Sequence, residues 1–307
     1  MDSFGAATLP IATMTVGLSP TASTGELRFA PATTALSKTS GFIADAGFTH
    51  SLTPARNCTY GCLYCYVPTL RIHGGLRKED WQRWGQFSTV KENVPALLAK
   101  QLRPDQRIYC SPLTDPYQPA EREASLMPQV LGELSAAPPE VFVIQTRGPL
   151  ILRDLDLLLE LAQRTLLRIS FSITTNREDI RRIFEPHCEP VAERLAVMKE
   201  LADAGLRVHA TLAPLLPCDP EQLVDQAMAA SNEALIVDPL HVRATKSQGA
   251  TTRDAAHRLC AAKGLEEWLD PAFQQQIVER MQQRAARQGR LCGAGVQGFS
   301  WLAKTAT

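Results

Sequence analysis

The sequence predicts an α/β fold in which six strands alternate with helices and curl into a full or partial barrel. Three observations predict it. Short apolar runs rich in Val, Ile and aromatic residues recur between helical patterns. Polar or Pro-rich turns follow one run after another. The chain has 307 residues, enough to bury a sizeable core without disulfides.

Taken in order, strands are expected at 48–52, 107–110, 141–146, 167–173, 207–212 and 234–237. Helical stretches lie near 91–102, 124–136, 150–163, 189–204 and 219–231, with a last one at about 271–289. Gly205 stands where a helix C-cap precedes its strand. Strands alternating with helices imply right-handed βαβ units and a parallel sheet. Residues 1–40 are rich in Thr, Ser, Ala and Pro and read as an extended or poorly ordered arm. The barrel is expected over 41–240. Residues 241–307 form a C-terminal extension expected to shape substrate access.

Hydrophobic residues make up 45% and charged residues 21%, and the formal net charge is zero. Long-range attraction to nucleic acid is therefore not favoured overall, although a local basic patch stays open. Of the eight cysteines, three crowd together, while Cys110, Cys188, Cys218, Cys260 and Cys292 are scattered singly. That is no secreted disulfide framework, and it points to a reducing compartment and to metal or redox chemistry. Asp2 stands where a signal peptide would carry basic residues, and no run approaches the roughly 20 apolar residues that span a bilayer. A cytoplasmic protein without membrane contact is expected.

In a barrel of parallel strands, chemistry belongs at the C-terminal strand ends. "RNCTYGCLYCYV" (56–67) follows the first strand there and brings together Cys58, Cys62 and Cys65. "YCSPLTDPYQPAE" (109–121) follows the second, "TRG" (146–148) the third, "SITT" (172–175) the fourth and "APLLP" (213–217) the fifth. Iron–sulfur clusters are held by cysteine thiolates, usually four. Three would leave one iron open to a ligand carrying an amine and a carboxylate, and Gly61 allows the sharp turn that such a loop needs. Zinc is a competing reading, but its fourth ligand is missing, the nearest candidate being His73. A redox pair Cys62–Cys65 is another, and it leaves Cys58 idle.

The spacing Cys58-x3-Cys62-x2-Cys65, with Tyr64 just before the last cysteine, resembles the radical S-adenosylmethionine (SAM) enzymes. The resemblance covers roughly 45–240. It implies a partial (β/α)6 barrel of the TIM type and a [4Fe-4S] cluster whose open iron chelates the amino and carboxylate groups of SAM. It also implies reductive cleavage of SAM to a 5′-deoxyadenosyl radical, with the electron from a reductant such as flavodoxin or ferredoxin. "CLYCYV", "TDPYQPAE", "LILRDLDLL" and "EPHCEPVAERLAVMKELADAGLRVHATLAPLLP" are similar to the spore photoproduct lyase-related (SplB-like) branch. Its repair lyases remove hydrogen from a thymine lesion and return it through a cysteine and paired tyrosines.

On that resemblance Tyr64 and Tyr66 match the paired tyrosines, and Cys110 lies near the place of the hydrogen-donating cysteine. The run Cys110-Ser111-Pro112-Leu113-Thr114-Asp115 is longer than the lyases' cysteine–threonine–serine–aspartate. Arg147 falls where the lyases carry a basic partner for the SAM carboxylate, a role suited to a planar guanidinium. Asp115, Ser172 and Thr174 are further cofactor-pocket candidates, the last two alternating along one strand. Plainer readings stand beside these: Tyr64 and Tyr66 as pocket walls, Cys110 as a small buried hydrophobe, Asp115 as a turn former.

A DNA or nucleotide substrate calls for basic and aromatic surface. "LRKEDWQRWGQ" (76–86) interleaves Arg77, Lys78 and Arg83 with Trp81 and Trp84, diluted by Glu79 and Asp80. Arg280, Arg284 and Arg287 share a helical face, with Arg290 beyond. The alternatives to a lyase on a nucleic-acid base are a radical SAM enzyme for a small molecule or peptide, and a non-catalytic iron–sulfur or zinc protein.

Overall fold

The computed structural model describes residues 25–69, 83–240 and 254–305. All six expected strands form. They are β3 (His50–Leu52), β6 (Arg107–Cys110), β7 (Val141–Thr146), β8 (Leu166–Ser172), β9 (Val208–Leu215) and β10 (Leu235–Pro239). They lie side by side in chain order and pair in parallel, as a barrel-like sheet. β2 (Leu36–Lys38) joins β3 antiparallel at one edge, and β11 (Cys292–Ala294) joins β10 parallel at the other. β1 (Glu26–Phe29), β4 (Ala55–Arg56) and β5 (Phe87–Val90) make a separate three-stranded sheet. Thus 25–40, expected to be an extended or poorly ordered arm, contributes a strand to each sheet.

Expected helices form at Val94–Gln101, Met127–Ala136, Val191–Asp203, Pro220–Ala230 and Pro271–Arg287. Two differ in detail. Ser125 adopts φ 46°, which separates a short turn, Glu121–Ala124, from Met127–Ala136. The stretch from 150 begins as a tight helical segment, Pro149–Asp154, before α-helix Leu155–Ala162. The helices Glu178–Phe184, Asp254–Lys263 and Gly295–Ala303 are short or weakly patterned, and periodicity did not single them out.

Alternation along each strand sorts the core into two faces. Cys110, Phe142, Ile144, Leu167, Ile169, Phe171, Val208, Ala210, Leu235 and Val237 belong to the cluster shared with the surrounding helices. Their neighbours face inward, and many are polar: Tyr109, Gln145, Arg168, Ser170, Ser172, His209 and Thr211. Helix Gly295–Ala303 packs against this inner side, its Phe299 and Leu302 clustering with Val141, Val143 and Ile236. The buried Arg168 donates to the carbonyls of Leu302 (2.8 Å) and Lys304 (2.7 Å), which satisfies the C-terminal end of that helix.

This helix approaches β11 through glycines. A Cβ on Gly298 would lie 2.5 Å from the Gly293 carbonyl oxygen, whereas one on Gly132 would meet nothing within 4 Å. Gly298→Ala is expected to lower unfolding stability in urea by about 1–3 kcal/mol through overpacking. Gly132→Ala, inside an open helix surface, is expected to raise it by about 0.5–1 kcal/mol.

Candidate active site

The three loop cysteines follow β4. Asn57 turns the chain with φ 64°, and its side chain accepts from the Cys58 amide at 2.8 Å. Gly61 takes φ 59°. A Cβ on Gly85 would stand 2.7 Å from the Gly61 Cα, so the loop closes against a neighbour that must also be glycine. Gln118 reaches across from the loop after β6: its Oε1 accepts from the Thr59 amide at 2.8 Å, and its amide nitrogen donates to the Asn57 carbonyl at 3.3 Å. The Tyr60 hydroxyl donates to the Tyr117 carbonyl at 3.2 Å. "TDPYQP" therefore clamps the cysteine loop.

Cys58, Cys62 and Cys65 are not in disulfides and line one cavity of about 360 Å³. Tyr64, Tyr66, Asp115, Arg147 and Ser172 line the same cavity, so eight of the ten expected site residues converge there. Thr174 does not line it; its hydroxyl donates to the Glu185 carboxylate at 2.9 Å. Cys110 does not line it either. It is wholly buried, packed in the cluster toward the helices, and burial pushes its thiol well up. Strand alternation turns Tyr109 inward and Cys110 outward, so the thiol expected as a hydrogen donor faces the helices.

Asp115 also proves to be a tie. Its carboxylate accepts from the Tyr117 amide (2.9 Å), the Thr146 hydroxyl (2.6 Å) and the Arg147 amide (2.8 Å). Burial outweighs these bonds and raises its pKa. Tyr109 donates to Gln145 at 2.8 Å, and Gln145 donates to Ser172 at 2.6 Å. Gln145 and Tyr109 thus belong to the cavity wall, although nothing in the sequence distinguished them from other strand residues.

Behind the wall lies Glu185, with no exposed surface. Arg194 donates to its Oε2 at 2.7 Å, Tyr64 to its Oε1 at 2.6 Å, and the Arg147 guanidinium meets the same Oε1. Burial alone would raise this carboxyl, but Arg194 and Arg147 outweigh it and hold it at about 2. The Arg147 Nη1 also contacts Tyr64 Oη and lies 3.7 Å from the Cys62 sulfur. A hydrogen bond from Cys188, opposed by burial and aided by Arg147, lowers the Cys62 pKa. Glu185 and Arg194 were missed in the sequence, yet a signal existed. Val191, Arg194, Val197, Met198 and Leu201 form the buried face of one helix, and an arginine on an apolar face requires a buried anion.

The comparisons agree with this geometry. The family profile described as "Radical SAM superfamily" matches residues 52–229. The chain belongs to the radical SAM superfamily. An uncharacterised Mycobacterium tuberculosis protein is 31% identical over 254 residues, covering 76% of this chain and 73% of that one. An uncharacterised Methanocaldococcus jannaschii protein is 25% identical over 177 residues, 57% of this chain and 64% of its own length. Among solved structures, spore photoproduct lyase complexed with dinucleoside spore photoproduct matches with a TM-score of 0.60 at 14% identity, over 88% of this chain and 81% of that one.

Radical SAM enzymes use a [4Fe-4S] cluster and SAM. The donor set here fits the group: three thiols outside any disulfide, on one glycine-turned loop, open onto one cavity. Two guanidiniums, Arg147 and Arg194, face the Glu185 carboxylate, and Arg147 also lines the cavity beside the thiols.

Among the described residues, no helix is long and apolar enough to cross a membrane. Of the surface candidates, Arg77, Lys78 and Trp81 lie outside the described residues, as does His73, the nearest candidate for a fourth zinc ligand. Arg83 pairs with Glu26, Arg280 with Glu221, and Arg284 with Asp225, while Arg290 donates to the Ser231 carbonyl at 2.7 Å. Ion pairs thus neutralise Arg280 and Arg284, two of the four arginines of the helical stripe.

Glu185→Gln is expected to leave Arg194 buried and unmatched, costing about 3–5 kcal/mol in urea unfolding. The Glu185 pKa is depressed in the folded chain, so its contribution is present above the usual 4.5 and lost as pH falls toward about 2. The stability gap between wild type and Glu185→Gln should therefore shrink over that window.

Proposed function

We propose that this chain is a lyase-type radical SAM enzyme acting on a damaged or modified nucleic-acid base. The observation that carries the reading is the convergence of three loop thiols, Arg147 and an aromatic wall of Tyr66, Tyr109 and Phe299 on one cavity. Flat aromatic walls suit a flat base turned out of its stack. Likeness of fold to a lyase solved with a dinucleoside lesion supports it.

In this reading Cys58, Cys62 and Cys65 would hold the [4Fe-4S] cluster. Bound there, it would supply reductive cleavage of SAM to methionine and a 5′-deoxyadenosyl radical able to take a hydrogen atom from the substrate. That electron comes from an external reductant of the flavodoxin or ferredoxin kind. The Arg147 guanidinium on the cavity wall attracts the SAM carboxylate, while Tyr64 and Ser172 bound the pocket. Asp115 and Thr174 act one layer back: Asp115 holds the Arg147 backbone, and Thr174 holds Glu185. Hydrogen return falls to the phenols Tyr66 and Tyr109 on the cavity wall, since Cys110 faces away.

A second reading, a small-molecule or peptide substrate, is favoured by the pairing of Arg280 and Arg284 with acids. Binding to UV-damaged DNA separates the two. An enzyme for nucleic-acid bases should bind with an affinity that falls steeply with salt, by about one phosphate contact's worth of slope per neutralising cation. Binding that is absent, or that ignores salt, favours the second reading.

Anaerobic reconstitution with iron and sulfide, then SAM and a reductant, should yield 5′-deoxyadenosine by chromatography, and Cys62→Ala should yield none. Intact SAM in the wild type would overturn the radical assignment and leave a non-catalytic iron–sulfur or zinc protein. Arg147→Lys keeps the charge but loses the planar fork. It is expected to raise the KM for SAM roughly ten- to hundredfold, the range for one charged hydrogen bond.

A further inference from the structure

Cys188 is a fourth thiol beside the cysteine loop, in the turn between helices Glu178–Phe184 and Val191–Asp203. Its sulfur, the Cys62 sulfur and a Glu185 carboxylate oxygen all lie within 4.8 Å of one another, and all three residues are buried. The turn is pinned: Arg181 Nη1 donates to the carbonyls of Cys188 (2.8 Å) and Glu185 (3.2 Å), and the Cys188 amide donates to the Glu185 carbonyl at 3.1 Å. The neighbouring His187 ring lies against Gly61, 3.2 Å from where a Cβ would stand. Cys62 lines the cavity and Cys188 does not. Cys188 therefore approaches the Cys62 sulfur from the protein side, and the side open to SAM stays clear.

We propose that the Cys188 thiol donates a hydrogen bond to the Cys62 sulfur and thereby raises the reduction potential of the cluster that Cys62 holds. Cys188 is a positioning residue in this scheme and no iron ligand; the proposal rests on the reading of Cys62 as a ligand. A thiol is a weak donor, but its acceptor here is a thiolate and both residues are buried, where hydrogen bonds strengthen. A donor draws electron density from the sulfur and favours the more electron-rich, reduced cluster, and hydrogen bonds to sulfur are among the determinants of cluster potential. The Arg147 Nη1, 3.7 Å from the same sulfur, acts in the same direction. Glu185 opposes both, but its charge is already matched by Arg194 and Arg147.

The test is a potentiometric titration of the reconstituted full chain, followed by electron paramagnetic resonance, for wild type, Cys188→Ala and Cys188→Ser. Cys188→Ala should keep its full iron content and shift to lower potential. The reduction equilibrium should fall up to about tenfold, which is about 59 mV for a one-electron couple. Cys188→Ser, whose hydroxyl still donates, should fall between. An unchanged or raised potential in Cys188→Ala overturns the proposal. So does loss of iron from it, which would make Cys188 a ligand.

Adjacency is checked separately on the cluster-free full chain carrying Cys58→Ser and Cys65→Ser. Diamide should link Cys62 to Cys188: the two thiols lose their hydrogens, an S–S bond forms, and the reagent's N=N bond is reduced to a hydrazine. Peptide mapping by mass spectrometry reads the link, and a Cys62 that reacts without linking to Cys188 overturns the proposal. If Cys62 held no cluster at all, the wild type would bind no iron while the diamide link still formed. That distinguishes failure of the underlying reading from failure of this one.

Discussion

A carboxylate without access to water organises the active end of this barrel. Glu185 is gripped by Arg194 from a helix, by Arg147 from the end of β7, by Thr174 just beyond β8 and by Tyr64 from the cysteine loop. Removing a charge from water is costly unless partners surround it, so each of the four segments must come to one place for the carboxylate to be tolerated. Arg147 and Tyr64 then reach the cavity already oriented. The Arg147 guanidinium, besides meeting Glu185, borders the cavity beside the loop thiols.

A second constraint is the division of the sheet into a dry face and a polar one. Side chains that alternate along each strand give the helices an apolar surface and leave Tyr109, Gln145, Ser170, Ser172 and Thr211 inside. These inner groups satisfy one another through short hydrogen bonds: Ser170 reaches Gln145 at 2.6 Å and Thr211 at 2.5 Å. A buried polar network of this kind is rigid when every member is bonded. It forms a fixed floor under the cavity, and rigid walls are what radical chemistry needs to keep water out and a substrate aligned. The apolar helix Gly295–Ala303 packs against the same inner side, and Phe299 carries that apolar surface into the cavity.

The cysteine loop itself is shaped more by its neighbours than by its own sequence. Gln118 and Tyr117, from the loop after β6, bond its backbone and its Tyr60 hydroxyl, and Gly85 leaves room for Gly61. Asp115 joins the same loop to the start of the next connection. A thiol cradle held from three directions is pre-organised before any ligand arrives.

The sequence by itself determined the order of strands, the end of the sheet that carries the chemistry and the three thiols. Each of these rests on local information: apolar runs bounded by turns, and ligands spaced a few residues apart. The parallel sheet agrees with the strand reading, and the family profile with the superfamily that the cysteine spacing resembles. Only the tertiary structure decided which side chains face the cavity. Cys110 and Tyr109 are adjacent in the chain, and one residue of register sends one to the helices and the other to the site. Glu185 and Arg194 come from different elements, so the periodicity that marks Arg194 on an apolar face does not name its partner, and Cys188 reaches Cys62 across more than a hundred residues with no local trace. The arginines on helix Pro271–Arg287 look like a basic stripe in one dimension and become ion pairs in three. Their partners come from the neighbouring helix, Pro220–Ala230, and a single stretch of sequence does not record what packs beside it.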